Sequence, residues 1–128
     1  MSMTVAFTAV DEPGVFRLDE DAFEPSGLVL TTHGELDMAT VPMLRARMTA
    51  AIEAQVTALV IDLRPIDFLD SVAVAAILHA RRQLGDAGRL VIVIDPGSYT
   101  WMVFEIAGLP QCLDIVETLN QAFAHLNG

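Results

Sequence analysis

Three aspartates near the middle of the chain lie close enough in sequence to act together. Asp62, Asp67 and Asp70 follow an apolar segment, and clustered carboxylates at the end of a strand can hold the magnesium ion of a phosphoryl-transfer site. The commoner use of such residues is structural, with one carboxylate in a turn and another at the cap of a helix. A phosphoaspartate receiver site also needs a lysine, and this chain contains none. We therefore expect a turn and a helix cap here, and no metal site.

Other residues of the types that commonly act in catalysis have no partner residue at a catalytic or metal-binding spacing in this sequence. His33, His79 and His125 are far apart, with no second ligand at metal-binding spacing, and His79 among its apolar neighbours is expected to be a hydrogen-bonded structural imidazole. The single cysteine, Cys112, can form neither an internal disulfide nor a thiolate metal site. Ser71 has no histidine placed by sequence to activate it and no G-x-S-x-G motif around it. We therefore predict no enzyme activity, no catalytic residue and no cofactor.

Ser71 follows Asp70 at the junction between an apolar segment and a predicted helix. Asp70 is placed to be the N-cap and Ser71 to lie in the first turn, and such a cap stabilises a helix by about 1 kcal/mol. Capping alone is sufficient to explain the pair. The same position leaves a hydroxyl at the open end of a helix, above the strand ends where α/β folds place their binding sites. A phosphate there would add about −1.5 to −2 charges at a helix end that tolerates anions, so Ser71 has the properties of a switch that acts on binding.

The charge balance of the chain restricts its partners. Seventeen acidic residues against seven basic ones, all of them arginine, give a net charge of −10. Only two pairs of arginines are close in sequence, Arg45 with Arg47 and Arg81 with Arg82. Because a chain of this charge is repelled by nucleic acid and by anionic lipid head groups, we expect no direct nucleic-acid binding.

Length and hydropathy indicate one cytoplasmic domain. A chain of 128 residues with 53% hydrophobic residues can bury one sizeable core. Its longest uninterrupted apolar run, Val72 to Leu78, is far shorter than the roughly 20 residues that a membrane span needs. Residues 1–14 contain neither a basic region nor an apolar stretch long enough for a signal peptide, so we expect no membrane span and no export.

Strand-like and helix-like segments alternate from residue 28 onward. Apolar, β-branched runs predict strands over four segments: 28–34, 58–63, 90–94 and 112–116. Helical spacing and capping residues predict helices that begin near residue 41, at residue 72, after Ser98 and at residue 117. This alternation predicts the α/β class: a single domain with a mostly parallel central sheet of about four to five strands, an antiparallel edge and about four helices.

The apolar positions of two helices predict which faces turn inward. The first helix can be capped by Thr40 or Asp37, and its apolar residues repeat at helical spacing: Val41, Leu44, Met48, Ala51 and Ile52. The predicted inward face of the second helix consists of Val74, Ile77, Leu78 and Leu84.

The N-terminal part of the chain leaves alternatives open. Residues 11–24 hold six of the seventeen acidic residues around a few apolar ones, and they form either a short edge strand followed by an acidic loop or a mobile arm. We expect residues 1–14 to be an N-terminal extension or edge strand, and residues 15–126 to form the domain.

Five short segments, taken in order, resemble a known family. They are Gly34-Glu35-Leu36-Asp37, Val60-Ile61-Asp62-Leu63, Phe68-Leu69-Asp70-Ser71, Ala87-Gly88-Arg89-Leu90 and Ala107-Gly108-Leu109. In this order and at these separations they resemble the STAS domain of bacterial anti-sigma factor antagonists, over roughly residues 15–126. Each tetrapeptide alone is a weak signal, whereas the series is specific.

The resemblance implies a function and a set of site residues. In that family, the serine after the aspartate at the helix start is phosphorylated by an anti-sigma factor that is also a serine kinase. The unphosphorylated antagonist binds this anti-sigma factor and so releases a sigma factor, and a phosphatase resets the phosphorylated form. The resemblance implies that Ser71 is the phosphoacceptor and that Asp37, Asp70, Ser71 and Val72 contact the partner. ATP would belong to the kinase.

The chain departs from the family pattern directly after the serine. The family commonly has Asp-Ser-Ser-Gly, where this chain has Asp70-Ser71-Val72-Ala73. Loss of the second hydroxyl, or of the glycine that lets a partner approach the backbone, can slow phosphorylation or select a particular kinase. The alternative function is that of a STAS accessory subunit of a lipid-transport ABC system, which would act by docking without phosphorylation. A small hydrolase or nucleotide-binding enzyme has the least support.

Overall fold

The computed structural model describes residues 4–8 and 16–127, within which the chain forms seven strands and four helices. The strands are β1 (Thr4–Thr8), β2 (Phe16–Phe23), β3 (Gly27–Leu36), β4 (Ala58–Asp62), β5 (Ile66–Leu69), β6 (Arg89–Val93) and β7 (Asp114–Val116). The helices are α1 (Val41–Glu53), α2 (Ser71–Leu84), α3 (Tyr99–Ile106) and α4 (Leu119–Asn127). Short 3₁₀ turns, Gly85–Ala87 and Leu109–Gln111, follow α2 and α3.

All the described strands belong to one mixed sheet. Its order is β1-β2-β3-β4-β6-β7, with β5 paired to β3. The pairs β1–β2 and β2–β3 are antiparallel, and the pairs β3–β4, β3–β5, β4–β6 and β6–β7 are parallel. The α/β class, the mostly parallel sheet with an antiparallel edge and the four helices agree with the prediction from sequence. The described sheet has seven strands instead of four to five, because an edge strand in the N-terminal part was only one of the alternatives and β5 was not predicted.

The acidic segment contains an inner strand, not an edge strand or a mobile arm, over residues 16–23. In β2, Phe16 and Leu18 are buried in the core, and β1 pairs along the outer side of the strand. Two carboxylates that follow them are paired, since Asp19 contacts His33 at 3.1 Å and Glu20 contacts Arg47 at 3.2 Å. Alternating burial thus brings a charged segment into the sheet. Residues 11–15 lie outside the described residues.

The sheet presents a different set of side chains on each face. Leu30, Leu59, Ile61, Leu90 and Ile92 belong to the larger core, which also contains residues from α1, α2 and α3. Valines at the alternate positions form a second, smaller core with Ala122 of α4: Val29, Val60, Val91 and Val93. The two-residue period of the strands therefore separates the two layers of helices.

The buried face of α2 is made of smaller residues than predicted. Ala73, Ala76, Ile77, Ala80 and Leu84 are buried, whereas Val74 and Leu78 are only partly buried. Alanines let the helix approach α1 and the sheet closely, so residue size and not hydrophobicity alone decides which face turns inward. In α1, the buried residues Val41, Leu44, Met48 and Ala51 follow the predicted face.

A few other local predictions were wrong. His79 is exposed and is not a structural histidine of the core. The last strand begins at Asp114, which leaves Cys112 exposed in the preceding turn, and the last helix begins at Leu119. In the part of the chain that the structure describes, no helix is long and apolar enough to span a bilayer.

Candidate partner-binding site

The site is formed where two parallel strands end side by side. Leu36, the last residue of β3, lies opposite Leu69, the last residue of β5, and the Asp70 backbone N–H donates to the Leu36 carbonyl at 3.1 Å. The chain then leaves β3 through Asp37 and leaves β5 through Asp70. Both aspartates therefore lie at the same edge of the sheet.

Strand β3 pairs with two strands in succession along the same side. Residues 27–31 pair with β4, and residues 34–36 pair with β5. Within the pairing with β5, the register shifts between Gly34 and Glu35. Gly34 has a φ of 93°, which glycine adopts without the steric cost that a side chain imposes. Because β5 pairs with β3 beyond the end of β4, the ends of β3 and β5 lie side by side.

Asp70 caps α2 as predicted. Its Oδ1 accepts a hydrogen bond from the Val72 backbone N–H at 3.0 Å, and its extended backbone (φ −114°, ψ −177°) is typical of an N-cap residue. Its carbonyl oxygen accepts from the Ala73 N–H at 3.1 Å and so begins the helical hydrogen bonding. One carboxylate oxygen is thereby held at the helix start, next to Ser71.

Ser71 is the first residue of α2 and its side chain is exposed. Within residues 16–127, no side chain or backbone group forms a hydrogen bond with its hydroxyl. It lies at the helix end where the unpaired N–H groups carry partial positive charge. An anion attached to this oxygen is therefore compatible with the helix.

The two residues after Ser71 differ in accessibility. Val72 is partly buried and packs against the core, while Ala73 is fully buried. Of the two departures from the family pattern, only Val72 lies partly at the surface. Its backbone N–H is taken by Asp70, so the Val72 side chain is the part of this residue that can contact a partner.

Asp37 organises the turn before α1. Its Oδ1 accepts from the N–H groups of Ala39 at 2.9 Å and Thr40 at 3.1 Å, and its own N–H donates to the Thr40 hydroxyl oxygen at 3.0 Å. Thr40 is the N-cap residue by position, but its side chain makes no capping bond; its hydroxyl donates to the Glu35 carbonyl at 2.6 Å. The side chains of Asp37 and Thr40 therefore hold the turn before α1, and neither forms the predicted side-chain cap of this helix.

Asp62 does not join the other carboxylates. Its side chain is 3% exposed and forms a two-pronged ion pair with Arg64, with Nε 3.0 Å from Oδ1 and a terminal guanidinium nitrogen 2.8 Å from Oδ2. The hydrogen bonds to Asp62 and, to a smaller extent, its negative charge raise the pKa of Arg64. Within the described ranges, no group of three His, Cys, Asp or Glu side chains is placed to hold a metal ion.

An apolar surface beside Ser71 was not predicted from the sequence. We call Phe68, Tyr99, Met102 and Ile106 the apolar surface, because these large side chains are exposed, Ile106 to 79%. The rings of Phe68 and Tyr99 are stacked, with centroids 5.9 Å apart and planes at 17°. The stack joins β5, which leads into Ser71, to α3. The spacings of three and four residues between Tyr99, Met102 and Ile106 indicate that they share one face of a helix. They do not indicate that this face is exposed, because apolar residues are ordinarily expected in the core.

Acidic side chains accompany the apolar surface. Asp67 precedes Phe68, Asp95 lies in the turn before α3, and Glu105 precedes Ile106; all three are exposed. Arg64, whose guanidinium lies near enough to Asp95 to feel its charge, is already paired with Asp62. The surface is thus apolar at its centre and negative around it.

Comparison with known proteins agrees with this architecture. The model of the STAS domain family matches residues 17–122. An anti-sigma F factor antagonist of Lysinibacillus sphaericus is 32% identical over 103 residues, which cover 79% of this chain and 86% of that protein.

Two solved structures are similar in fold. An anti-sigma factor antagonist from Mycobacterium paratuberculosis has a TM-score of 0.82 at 24% identity, covering 93% of this chain and 100% of that one. The Bacillus cell fate determinant SpoIIAA in its phosphorylated form has a TM-score of 0.66 at 25% identity, covering 85% of this chain and 98% of that one. The segments that carried the resemblance, the fold and the family match all agree: this chain belongs to the STAS domain family.

Proposed function

We propose that this chain is an anti-sigma factor antagonist. It binds a serine-kinase anti-sigma factor in the cytoplasm, releases a sigma factor from it, and is switched off when the kinase phosphorylates Ser71. The observation that carries the proposal is the exposed Ser71 hydroxyl at the start of α2, directly after the capping Asp70 and three residues after Phe68 of the apolar surface. The name of the Lysinibacillus relative and the phosphorylated form of SpoIIAA support it.

The chain supplies an acceptor and not a catalytic group. In the transfer, the Ser71 oxygen forms a bond to the γ-phosphorus of ATP, the bond between that phosphorus and ADP breaks, and the hydroxyl proton passes to the kinase. The kinase binds the nucleotide. An exposed hydroxyl on a rigid helix start is what such a reaction needs from its protein substrate.

The same location explains how a phosphate would switch binding. Without it, a partner can cover Ser71 and bury the apolar surface beside it. With it, a dianion must lose water on docking and lies close to Asp70 and Asp37, which carry the same sign of charge. A penalty of about 3 kcal/mol weakens binding by roughly 100-fold, which is sufficient for a switch.

The switch needs no rearrangement of the fold. Asp70 holds the first turn of α2 through the Val72 N–H, and this hydrogen bond does not involve the Ser71 side chain. The partial positive charge at the helix start accommodates the phosphate. The effect of phosphorylation is therefore expected in binding and not in stability.

Intact-mass spectrometry tests the acceptor. We expect incubation with ATP and the cognate serine kinase to add one phosphate to the chain and none to Ser71→Ala. Ser98→Ala is the matched control, because Ser98 is also at the start of a helix but its hydroxyl donates to the Asp95 carbonyl and accepts from the Trp101 N–H. Ser98→Ala should still take up one phosphate. Absence of modification with every serine kinase encoded with the chain would instead favour an accessory subunit that docks without phosphorylation.

Binding measurements test the switch. Ser71→Ala should bind the kinase whether or not ATP is present, and Ser71→Glu should bind more weakly at an almost unchanged melting temperature. Loss of the folded state in either variant would mean that Ser71 is needed structurally, which contradicts the proposal. Because Glu carries less charge than a phosphoserine, the enzymatically phosphorylated chain is the reference for full release.

A further inference from the structure

We propose that α3 is part of the kinase-binding surface and that Met102 and Ile106 determine which kinase is bound. The partner surface that fits is an apolar centre surrounded by basic side chains. This inference rests on the proposed function, because the occupant is the kinase that phosphorylates Ser71.

The outer face of α3 is a continuous apolar stripe. Tyr99, Met102 and Ile106 are spaced three and four residues apart, so they project from the same side of the helix over roughly 10 Å of its length. They are exposed to 46%, 46% and 79%. The opposite side of the helix buries Thr100 and Phe104, which fixes the orientation of the stripe.

The stripe is connected to the phosphorylation site. Tyr99 stacks on Phe68, and Phe68 is three residues before Ser71. Leu69, between them, is buried, so this segment is held against the core and the stack has a fixed position relative to α2. A protein that reaches Ser71 from above the strand ends therefore meets Phe68 and then the α3 stripe.

The charges around the stripe favour a basic partner over a second copy of this chain. Asp67, Asp95 and Glu105 are exposed beside the apolar residues, and the net charge of the chain is −10. Two copies docked through this face would bring like charges together, whereas a partner with arginines or lysines around an apolar centre would be attracted. Charged residues at the edge mainly set the association rate, and buried apolar residues set the lifetime of the complex.

Residues of α3, which do not take part in phosphoryl transfer, can thus determine which kinase binds. The residues next to the acceptor must fit the chemistry of phosphoryl transfer in every such complex. Met102 and Ile106 have no such constraint, and their size and shape can match a single partner. We therefore expect substitutions here to alter the affinity for the kinase, and its KM for this substrate, more than the rate of phosphoryl transfer at saturation.

The test measures binding and phosphorylation of the full chain with the serine kinase that modifies Ser71. Ile106→Asp should raise Kd and KM by about tenfold or more, while Ile106→Met should restore most of the affinity. Phosphate should still be added to Ser71 at a saturating concentration of the variant. Because Ile106 is 79% exposed, its replacement should leave the melting temperature unchanged.

Two charge-reversal variants test whether the partner carries basic side chains around its apolar centre. Glu105→Arg should slow association with the kinase and weaken the dependence of the association rate on salt concentration. Asp86→Arg is the matched control, since Asp86 is exposed in the 3₁₀ turn at the far end of α2 and the change in net charge is the same. Asp86→Arg should have a clearly smaller effect.

The outcomes separate this inference from the proposed function. If the kinase phosphorylates Ser71 but binds the variants Ile106→Asp and Glu105→Arg as it binds the unchanged chain, the role of α3 is overturned. The proposed function is then left intact. Absence of phosphate on Ser71 with every candidate kinase would overturn both. Equal effects of Glu105→Arg and Asp86→Arg would show that only net charge matters, which contradicts a basic contact at α3.

Discussion

Asp70 combines two functions that act through different physical properties. Its Oδ1 accepts from the Val72 N–H, which is a local hydrogen bond, and its negative charge lies next to the proposed phosphoacceptor. The first property belongs to the folded chain alone. The second matters only when a partner or a phosphate is present. Substitutions that remove one property and keep the other can therefore separate stability from binding.

Replacing Asp70 tests the capping hydrogen bond. Asp70→Ala removes the acceptor, and we expect it to lower the free energy of unfolding by about 1 kcal/mol. Asp70→Asn keeps an acceptor oxygen at the same place and should lower it by only a few tenths of a kcal/mol. Urea denaturation followed by circular dichroism measures both. If the two variants lose equal stability, the negative charge and not the hydrogen bond stabilises the helix start.

The residues differ in how far sequence could identify them. The capping role of Asp70 was predicted correctly because capping depends on neighbours within a few positions, and the role of Ser71 as phosphoacceptor stays a prediction. Asp62 was grouped with Asp67 and Asp70, but the structure pairs it with Arg64. That pairing depends on how the chain turns after β4 and on the burial of Asp62, which three carboxylates in a sequence do not reveal.

Among the elements, α2 joins the proposed binding site to the core. Ser71 and Asp70 begin the helix, and Ala73, Ala76 and Ala80 bury its inner face. The orientation of the Ser71 hydroxyl therefore depends on close packing by small residues further along the helix. We expect changes in the packing of α2 to lower the stability of the fold. We expect them to alter the proposed binding site only as a consequence of that loss.

Enlarging one alanine of α2 tests this packing. Ala76→Leu adds three carbon atoms at a position that is 1% exposed, and we expect a loss of about 1–3 kcal/mol in the free energy of unfolding. Ala75→Leu is the control, because Ala75, the preceding residue of the helix, is exposed and its replacement should change stability by less than about 0.5 kcal/mol. Urea denaturation of both variants gives the comparison. Similar stabilities would mean that the inner face of α2 has free space.

Elements were predicted well where the pattern was long. The alternation of strands and helices from residue 28 onward and the buried face of α1 were readable because they extend over many residues. Strand β5 has four residues and follows β4 closely, so it lacked a recognisable period. The outward face of α3 was missed for a different reason, since hydropathy does not tell whether an apolar stripe meets the core or a partner.

The whole molecule carries a large excess of negative charge. Seven arginines are set against seventeen acidic residues, and three of those arginines form ion pairs with acids of β2 and β4. The remaining negative charge is spread over the surface. Such a distribution raises the free energy of the compact state through self-repulsion.

Salt dependence of stability tests this repulsion. Raising sodium chloride from about 10 mM to about 150 mM shortens the screening length from about 30 Å to about 8 Å. We expect the melting temperature to rise by about 2–4 °C, corresponding to less than about 1 kcal/mol for a domain of this size. A variant that combines Glu53→Gln with Asp86→Asn should show a smaller rise. A melting temperature that falls with salt would mean that ion pairs outweigh repulsion in the folded state.

The sequence by itself determined the fold class, the family resemblance and the residues at the start of α2. These follow from periodicity, from capping chemistry and from short segments in a characteristic order, all of which are properties of neighbouring residues. Only the tertiary structure decided that residues 16–23 of the acidic segment form an inner strand, that Asp62 pairs with Arg64, and that Tyr99, Met102 and Ile106 of α3 are exposed. Each of these features depends on contacts between residues or elements, and the packing of the sheet and helices sets where those residues and elements lie relative to one another. Local sequence patterns do not specify that placement.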